Sequence, residues 1–177
     1  MNNEEPNLSG IVVWGTIAND TMLVSQLEDD LRQSFGKVIF KSSVIPFDFT
    51  EYYESEMGEK LMRSWLVTEQ LKPLEQLADI KNFARKLEAK QLNSKGRRRI
   101  NIDPGFLTLS NFVLATTKNF GHRIYLKDNI YAEVTLIYQN KSYQPLNWTY
   151  PDYQKVVPFF NQIRNHLYKI LKENKKL

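Results

Sequence analysis

The stretch IVVWGTIANDTMLVSQLEDDLRQSFG, residues 11–36, contains the first predicted strand and helix and sets the pattern of the fold. Its first seven residues form an apolar run that is typical of a buried strand. A helix follows, because Asn19 or Asp20 is a good N-cap residue and Gly36 suits the position just past a helix C-terminus. The apolar residues of this helix are spaced by four and share one face: Leu23, Leu27, Leu31 and Phe35.

Two further strand patterns and a second helix come next along the chain. Residues 38–49 and 61–68 predict strands, and Pro46 places the first of them at a sheet edge or a bulge. Pro73 is typical of the first position of a helix. Residues 98–102 then predict another strand, so the order to this point is βαββαβ. This order is typical of the ferredoxin-like arrangement.

The following residues are predicted to extend this core by a helix and a hairpin. Asp103-Pro104-Gly105 predicts a turn, because these residue types favour reversals of the chain. A mostly buried helix is expected over residues 108–118. Residues 122–126 and 130–138 then predict a β-hairpin across Lys127-Asp128-Asn129.

An amphipathic helix closes the predicted fold, with Pro158 in its first turn. Its apolar residues recur at helical spacing: Phe159, Phe160, Ile163, Leu167, Ile170 and Leu171. A chain of this length is typical of one domain with its own core. We therefore predict an α+β fold in which residues 11–177 form a single domain and residues 1–10 form an acidic tail.

The composition is that of an ordinary folded protein. The 177 residues include no cysteine, which excludes a disulfide framework, a thiolate metal site and a cysteine nucleophile. The first residues, MNNEEP, are acidic and lack the apolar segment of a secretory signal. No apolar run is long enough to cross a membrane. We therefore expect a cytoplasmic protein with no membrane partner, and the sequence leaves its oligomeric state open.

The net charge of +4 is unevenly distributed. Residues 20–59 contain nine acids and three bases, whereas residues 155–177 contain six bases and one acid. A second basic cluster lies at residues 95–99. This asymmetry fits an anionic partner, two halves of opposite charge that face each other, or a solvated surface.

Several motifs for phosphate and metal chemistry are absent from the sequence. The seven glycines never form G-x-x-x-x-G-K-[ST] or G-x-G-x-x-G, the loops whose backbone amides hold phosphates. With two histidines in the chain, H-E-x-x-H is also excluded. The sequence therefore predicts that this protein is not a P-loop GTPase.

Three polar residues of the second half are candidates for catalysis. Asp103, His122 and Glu133 lie on separate predicted elements, and their convergence would form a hard-cation site or an acid–base pair. In that arrangement Asp103 and Glu133 would hold Mg²⁺ or Mn²⁺, and His122 would move a proton. The alternative is structural, with a turn residue, a hairpin-end residue and a carboxylate on a solvated strand face.

The same region contains candidates for binding an anionic small molecule or nucleotide. Arginine is suited to bidentate contacts with phosphate, and aromatic rings stack on a base or a sugar. The predicted ligand-binding residues are Arg97, Arg99, Asn101, Arg123, Trp148, Tyr150 and Asp152.

Five motifs in a fixed order carry a resemblance to a known family. They are PFDFTEYY (46–53), NIDPG (101–105), HRIYL (122–126), YAEV (131–134) and WTYPDY (148–153). From about Ile11 onward the chain resembles a prokaryotic family of small stand-alone proteins catalogued as a domain of unknown function. The resemblance implies no established reaction. Members are sometimes labelled GTP-binding, and the missing phosphate loop argues against that activity of the P-loop type here.

These observations lead to one main functional hypothesis and two alternatives. The main hypothesis is a cytoplasmic binding protein or regulator with a cleft for a phosphorylated small molecule or nucleotide. The first alternative is a divalent-metal-dependent hydrolase or transferase that uses Asp103, Glu133 and His122. The second alternative is an RNA-binding accessory protein that uses the basic C-terminal helix.

Overall fold

A large antiparallel β-sheet forms the centre of the fold, in a computed structural model that describes residues 8–174. The described residues contribute nine strands: β1 (Ser9–Ala18), β2 (Val38–Lys41), β3 (Ile45–Pro46), β4 (Met62–Pro73), β5 (Ile100–Leu107), β6 (Asn111–Thr116), β7 (Ile124–Lys127), β8 (Ile130–Gln139) and β9 (Ser142–Pro145). Seven of them follow in the order β2-β4-β1-β5-β6-β8-β7. β3 also pairs with β4, and β9 pairs with β8.

Helices cover both faces of this sheet. They are α1 (Thr21–Phe35), α2 (Glu54–Met57), α3 (Leu77–Lys90), α4 (Pro151–Lys155) and α5 (Val157–Glu173). α1 and α3 pack against the face that carries Trp14, whereas α4 and α5 pack against the face that carries Trp65. The predicted α+β class is therefore confirmed, as three layers with the sheet in the middle.

The first strand and helix form as their sequence pattern predicts. Asp20 is the N-cap of α1, and its side chain accepts a hydrogen bond from the Met22 backbone N–H at 2.9 Å. Gly36 ends the helix with a φ of 77°, a left-handed conformation that favours glycine. The predicted apolar face of the helix is buried.

The first half keeps the predicted succession of strands and helices, with two differences. Residues 38–49, predicted as one strand, contain the two strands β2 and β3, and α2 lies between them and β4. Pro73 ends β4 before a 3₁₀ turn at Leu74–Gln76 that leads into α3. These strands belong to one sheet of nine strands, so the ferredoxin-like arrangement stays a prediction. Of the predicted acidic tail, residues 1–7 lie outside the described residues, and Ser9 and Gly10 lie in β1.

The predicted turn at Asp103-Pro104-Gly105 is wrong, because β5 runs straight through these three residues. They pair with Gly15, Trp14 and Val13 of β1, respectively. Gly105 serves packing here: a Cβ atom on this residue would lie 2.5 Å from Phe112 Cζ and 2.7 Å from Val113 O. The glycine makes room for an aromatic ring from the neighbouring strand.

The predicted helix over residues 108–118 is also wrong, because this segment contains β6. Thr108 closes a tight hairpin, in which its backbone N–H donates to Asn111 O at 2.9 Å and its Oγ1 accepts from the Asn111 N–H at 3.1 Å. The strand that follows is covered by helices on both faces, so its residues do not alternate between apolar and polar. A short apolar run of this kind does not distinguish a strand from a helix.

The remaining elements largely follow their sequence patterns. The β7–β8 hairpin forms across Asp128 and Asn129, both with positive φ, as a tight two-residue turn requires. β9 is an additional strand that no pattern predicted. Helix α5 buries Phe160, Ile163 and Leu167, while the other apolar residues of its predicted face are half-buried. Within residues 8–174, no helix is both long and apolar enough to cross a membrane.

Replacing Gly105 with alanine should destabilise the protein by about 1–3 kcal/mol, because the added methyl group collides with the Phe112 ring and with backbone. Urea denaturation of wild type and variant measures this difference. Gly121→Ala is the matched control, since nothing lies within 4 Å of the Cβ position there. Equal midpoints for the two variants would contradict the proposed packing role.

Candidate functional site

The sheet opens into a fork between β5 and β6. The two strands pair only where Gly105–Leu107 faces Phe112–Leu114, although β5 continues along β1 as far back as Ile100. In an antiparallel strand, alternate residues direct their backbone polar groups to the same side. Ile102, Pro104 and Phe106 therefore face the β6 side. Because Pro104 has no N–H to donate, pairing with β6 stops at this residue.

Two side chains from α3 fill the inner end of this fork. Lys81 Nζ donates to Ile102 O at 2.7 Å, and the Ile102 N–H donates to Glu88 Oε1 at 2.6 Å. These side chains thus satisfy the backbone groups that a neighbouring strand would otherwise pair. Lys81 and Glu88 are both buried.

A cavity of about 360 Å³ lies in the fork. Among the described residues, six cationic side chains line it: Arg63, Lys81, Arg85, Arg98, Lys118 and Arg123. Three carboxylates also line it: Glu88, Asp103 and Asp152. The loop before α2 contributes the aromatic rings of Phe47, Tyr52 and Tyr53, and the start of α4 contributes those of Tyr150 and Tyr153.

Arg63 lies on the floor of this cavity, and its side chain is only 3% exposed. Its Nη2 donates to the Tyr153 hydroxyl at 2.8 Å, and its Nε lies 2.9 Å from Asp152 Oδ2. Its Nη1 lies 3.8 Å from Asp103 Oδ2, beyond hydrogen-bond distance. The guanidinium also lies over the Trp65 ring, 4.8 Å from its centroid.

Asp103 is the second floor residue, and two neighbours donate hydrogen bonds to its carboxylate. Lys81 Nζ donates to its Oδ1 at 2.9 Å, and Asn101 Nδ2 donates to its Oδ2 at 2.6 Å. Burial alone would raise the pKa of Asp103, but the charges of Lys81 and Arg63 outweigh burial and hold this pKa below its usual range. The carboxylate is therefore ionised at neutral pH.

The Asp103→Asn change should lower the free energy of unfolding at pH 7 and make it less sensitive to acid. A carboxyl whose pKa is lowered on folding stabilises the protein above its unfolded pKa of about 3.9, and this stabilisation is lost as the pH falls further. Urea denaturation between pH 3 and 7 measures the effect. The exposed Asp48→Asn variant is the control, and an unchanged acid limb in Asp103→Asn would contradict this role.

Two cations at the solvent side of the cavity have no carboxylate partner among residues 8–174. Arg85 Nη1 donates to the Asn82 side chain at 3.3 Å, and Lys118 Nζ lies 3.7 Å from the centroid of the Tyr52 ring. Both side chains belong to exposed residues. Partial burial lowers the pKa of Lys118; the negative charge of Asp103 opposes this shift, and the positive charge of Arg123 adds to it.

The other lining cations are paired with carboxylates. Arg98 contacts Glu56 Oε1 at 2.8 Å and Glu88 Oε2 at 3.4 Å, and Arg123 Nε contacts Glu133 Oε2 at 2.7 Å. Unpaired positive charge is thus confined to the solvent side of the cavity.

The structure brings half of the sequence-predicted site residues to this cavity. Those that line it are Asn101, Asp103, Arg123, Tyr150 and Asp152. Two of the predicted arginines lie outside the lining and contact other groups: Arg97 donates to Ser55 O, and Arg99 Nη2 lies 3.1 Å from Asp20 Oδ2.

The other three predicted residues, His122, Glu133 and Trp148, form a separate cluster that contacts Arg123 through Glu133. Glu133 is fully buried, and its Oε2 lies 2.9 Å from His122 Nε2. The His122 ring stacks on Trp148 with centroids 4.7 Å apart, and Trp148 Nε1 donates to Val134 O at 2.8 Å. This cluster anchors the loop before α4 to β8 and orients Arg123.

Asp103 therefore lines the cavity without the two residues predicted to join it, Glu133 and His122. Lys81 engages one carboxylate and Arg123 the other. No group of three Asp, Glu or His side chains in the described part of the chain is placed to hold a metal ion. The predicted Mg²⁺ or Mn²⁺ site at Asp103 and Glu133 thus has no support from these contacts.

Of the six lining cations, the predicted site residues include only Arg123; the five that were missed are Arg63, Lys81, Arg85, Arg98 and Lys118. Two of them, Arg63 and Lys81, have a sequence signal that indicates a buried charge. Arg63 is a charged residue inside an otherwise apolar strand pattern, and Lys81 lies four residues after Leu77 on the apolar face of its helix. A charged side chain at a core position of this kind is rarely buried without a specific partner.

A comparison with curated proteins found no match, and a comparison with solved structures found none either. A family model described as Domain of unknown function (DUF4416) matches residues 9–167. The match covers all nine strands of the described sheet and most of α5. The chain therefore belongs to this family, in agreement with the resemblance carried by its five motifs.

Proposed function

We propose that the cavity binds a phosphorylated small molecule, whose phosphate lies at the solvent side near Arg85 and Lys118. The observation that carries this proposal is that both cations lack a carboxylate partner within the described residues. A phosphate supplies the missing negative charge and accepts several charge-assisted hydrogen bonds. Of the arginines predicted from the sequence for this role, only Arg123 lines the cavity, and it is already paired with Glu133.

The size and lining of the cavity support a compact ligand. Its volume of about 360 Å³ is near the lower end of the range for small-molecule sites, roughly 300–1,000 Å³. Tyr52, Tyr53 and Tyr150 supply aromatic faces for a base or a sugar. Because Asp103 and Glu133 are engaged by cations, the contacts favour ligand binding over the metal-dependent hydrolase or transferase.

Calorimetry with inorganic phosphate, sugar phosphates and nucleoside monophosphates tests this proposal. We expect at least one phosphorylated compound to bind, and Lys118→Gln and Arg85→Gln each to weaken its binding by about tenfold or more. The controls are Lys86→Gln and Arg32→Gln, which remove exposed charges outside the cavity. An anion near Lys118 raises the lowered pKa of this amine, so binding should take up protons near that pKa.

Two results would contradict the proposal. In the first, the cavity variants bind the phosphorylated compound as tightly as the control variants do. In the second, no phosphorylated small molecule binds, whereas RNA binds with a steep dependence on salt. That outcome would favour the RNA-binding alternative.

A further inference from the structure

The floor of the cavity differs from its solvent side because the charges there cancel. Arg63, Lys81 and Arg98 provide three positive charges, and Asp103, Asp152 and Glu88 provide three negative charges. A phosphate placed on this floor would lie beside these carboxylates in a buried environment, where like charges repel strongly. The anionic end of the ligand therefore belongs at the solvent side.

The floor nevertheless contains a buried hydrogen-bond donor of Arg63 without an acceptor among the described residues. Arg63 Nη1 is buried and donates no hydrogen bond to any described residue. An unsatisfied buried donor is costly, and a charged one more so. Arg63 lines the cavity, and its Nη1 lies 3.8 Å from Asp103 Oδ2.

A hydroxyl group matches this pair of atoms chemically. It can accept a hydrogen bond from Arg63 Nη1 and donate one to the Asp103 carboxylate. A phosphate or carboxylate oxygen only accepts, so it would satisfy Arg63 and be repelled by Asp103. An apolar group would leave Arg63 unsatisfied.

From this geometry we infer that the ligand is a sugar phosphate, bound with its hydroxyl groups on the floor at Arg63 and Asp103. Its phosphate lies at the solvent side near Lys118 and Arg85, so the inference rests on the proposed function. The tyrosines that line the cavity offer their ring faces to the apolar side of the sugar. A single ligand would thus contact a floor without net charge through its hydroxyl groups and the cationic solvent side through its phosphate.

Wild-type protein with matched ligands provides the main test. Calorimetry compares pentose and hexose phosphates with cyclohexylmethyl phosphate, which has a ring and a phosphate but no hydroxyl groups, and with inorganic phosphate. We expect at least one sugar phosphate to bind about tenfold or more tightly than both reference compounds. Equal affinity of all phosphates would overturn this inference and leave the proposed function standing. Binding of nucleoside monophosphates without any sugar phosphate would do the same.

The Asp103→Asn variant gives an independent test, because the sign of the change in affinity separates an effect of charge from the loss of a hydrogen bond to the ligand. Removing a negative charge near an anionic ligand should strengthen binding by charge alone. Because Lys81 donates to the Oδ1 position, the amide nitrogen that the substitution introduces replaces Oδ2, the acceptor proposed for the hydroxyl, and this exchange should weaken binding of the sugar phosphate. We expect weaker binding of the sugar phosphate and unchanged or tighter binding of inorganic phosphate, with Asp48→Asn as the control. Tighter binding of both ligands would overturn the inference. If the Asp103 variant does not fold, the comparison of ligands on wild-type protein decides.

Discussion

Replacing Arg63 with methionine is expected to destabilise the protein by about 3–5 kcal/mol. Arg63 Nε lies 2.9 Å from Asp152 Oδ2, and both side chains are 3% exposed. Methionine has a similar length but no charge, so Asp152 would remain as a buried carboxylate without its cation. Asp103 would keep Lys81, its closer cationic partner, at 2.9 Å. The free energy of unfolding from urea denaturation measures the loss.

A second substitution at Asp152 separates this electrostatic cause from simple loss of packing. In the Arg63→Met/Asp152→Asn double variant the uncompensated carboxylate is gone, so part of the lost stability should return. The two changes should therefore be strongly non-additive. The contradicting result is additivity, in which the double variant loses the sum of the stabilities lost by Arg63→Met and Asp152→Asn alone. That result would show that the ion pair does not stabilise the fold.

Local sequence signals predict the elements of this fold where neighbouring residues determine the structure. The N-cap Asp20, the apolar residues spaced by four and Gly36 all act within α1, and the helix forms where they place it. The hairpin at Asp128 and Asn129 is a second example, because its turn requires residue types that tolerate positive φ. In both cases a contact with the rest of the protein is not needed to choose the conformation.

Local sequence signals predict the wrong structure where contacts with residues distant in the sequence decide the conformation. Pro104 and Gly105 indicate a turn locally, yet Gly105 lies under the Phe112 ring, and Pro104 lies where β5 loses its neighbour. The proline is tolerated inside a sheet because its missing N–H faces the fork. The same two residues therefore shape the cavity instead of reversing the chain.

The candidate site shows the same division. Asp103, Asn101 and Asp152 are among the site residues predicted from the sequence, and they line the cavity. Lys81 reaches its place through the fork, so its role depends on how α3 and β5 pack. No local pattern contains that information, although the position of Lys81 on an apolar helix face hints at burial.

Helices α4 and α5 cover the face of the sheet that carries Trp65, and Asp152 and Tyr153 of α4 line the cavity. We therefore expect the protein to lose stability when a buried side chain of this layer is shortened. Ile163 of α5 is fully buried in the cluster that contains Trp65 and Tyr153, and Tyr153 accepts the hydrogen bond from Arg63. Ile163→Ala should lower the free energy of unfolding by about 2–5 kcal/mol, because it removes buried methyl groups and leaves a cavity. The same substitution at Ile124, which is 69% exposed, is the matched control and should change stability by less than about 0.5 kcal/mol. Equal effects at the two isoleucines would mean that α5 does not stabilise the sheet, and that Tyr153 and Asp152 are held by α4 alone.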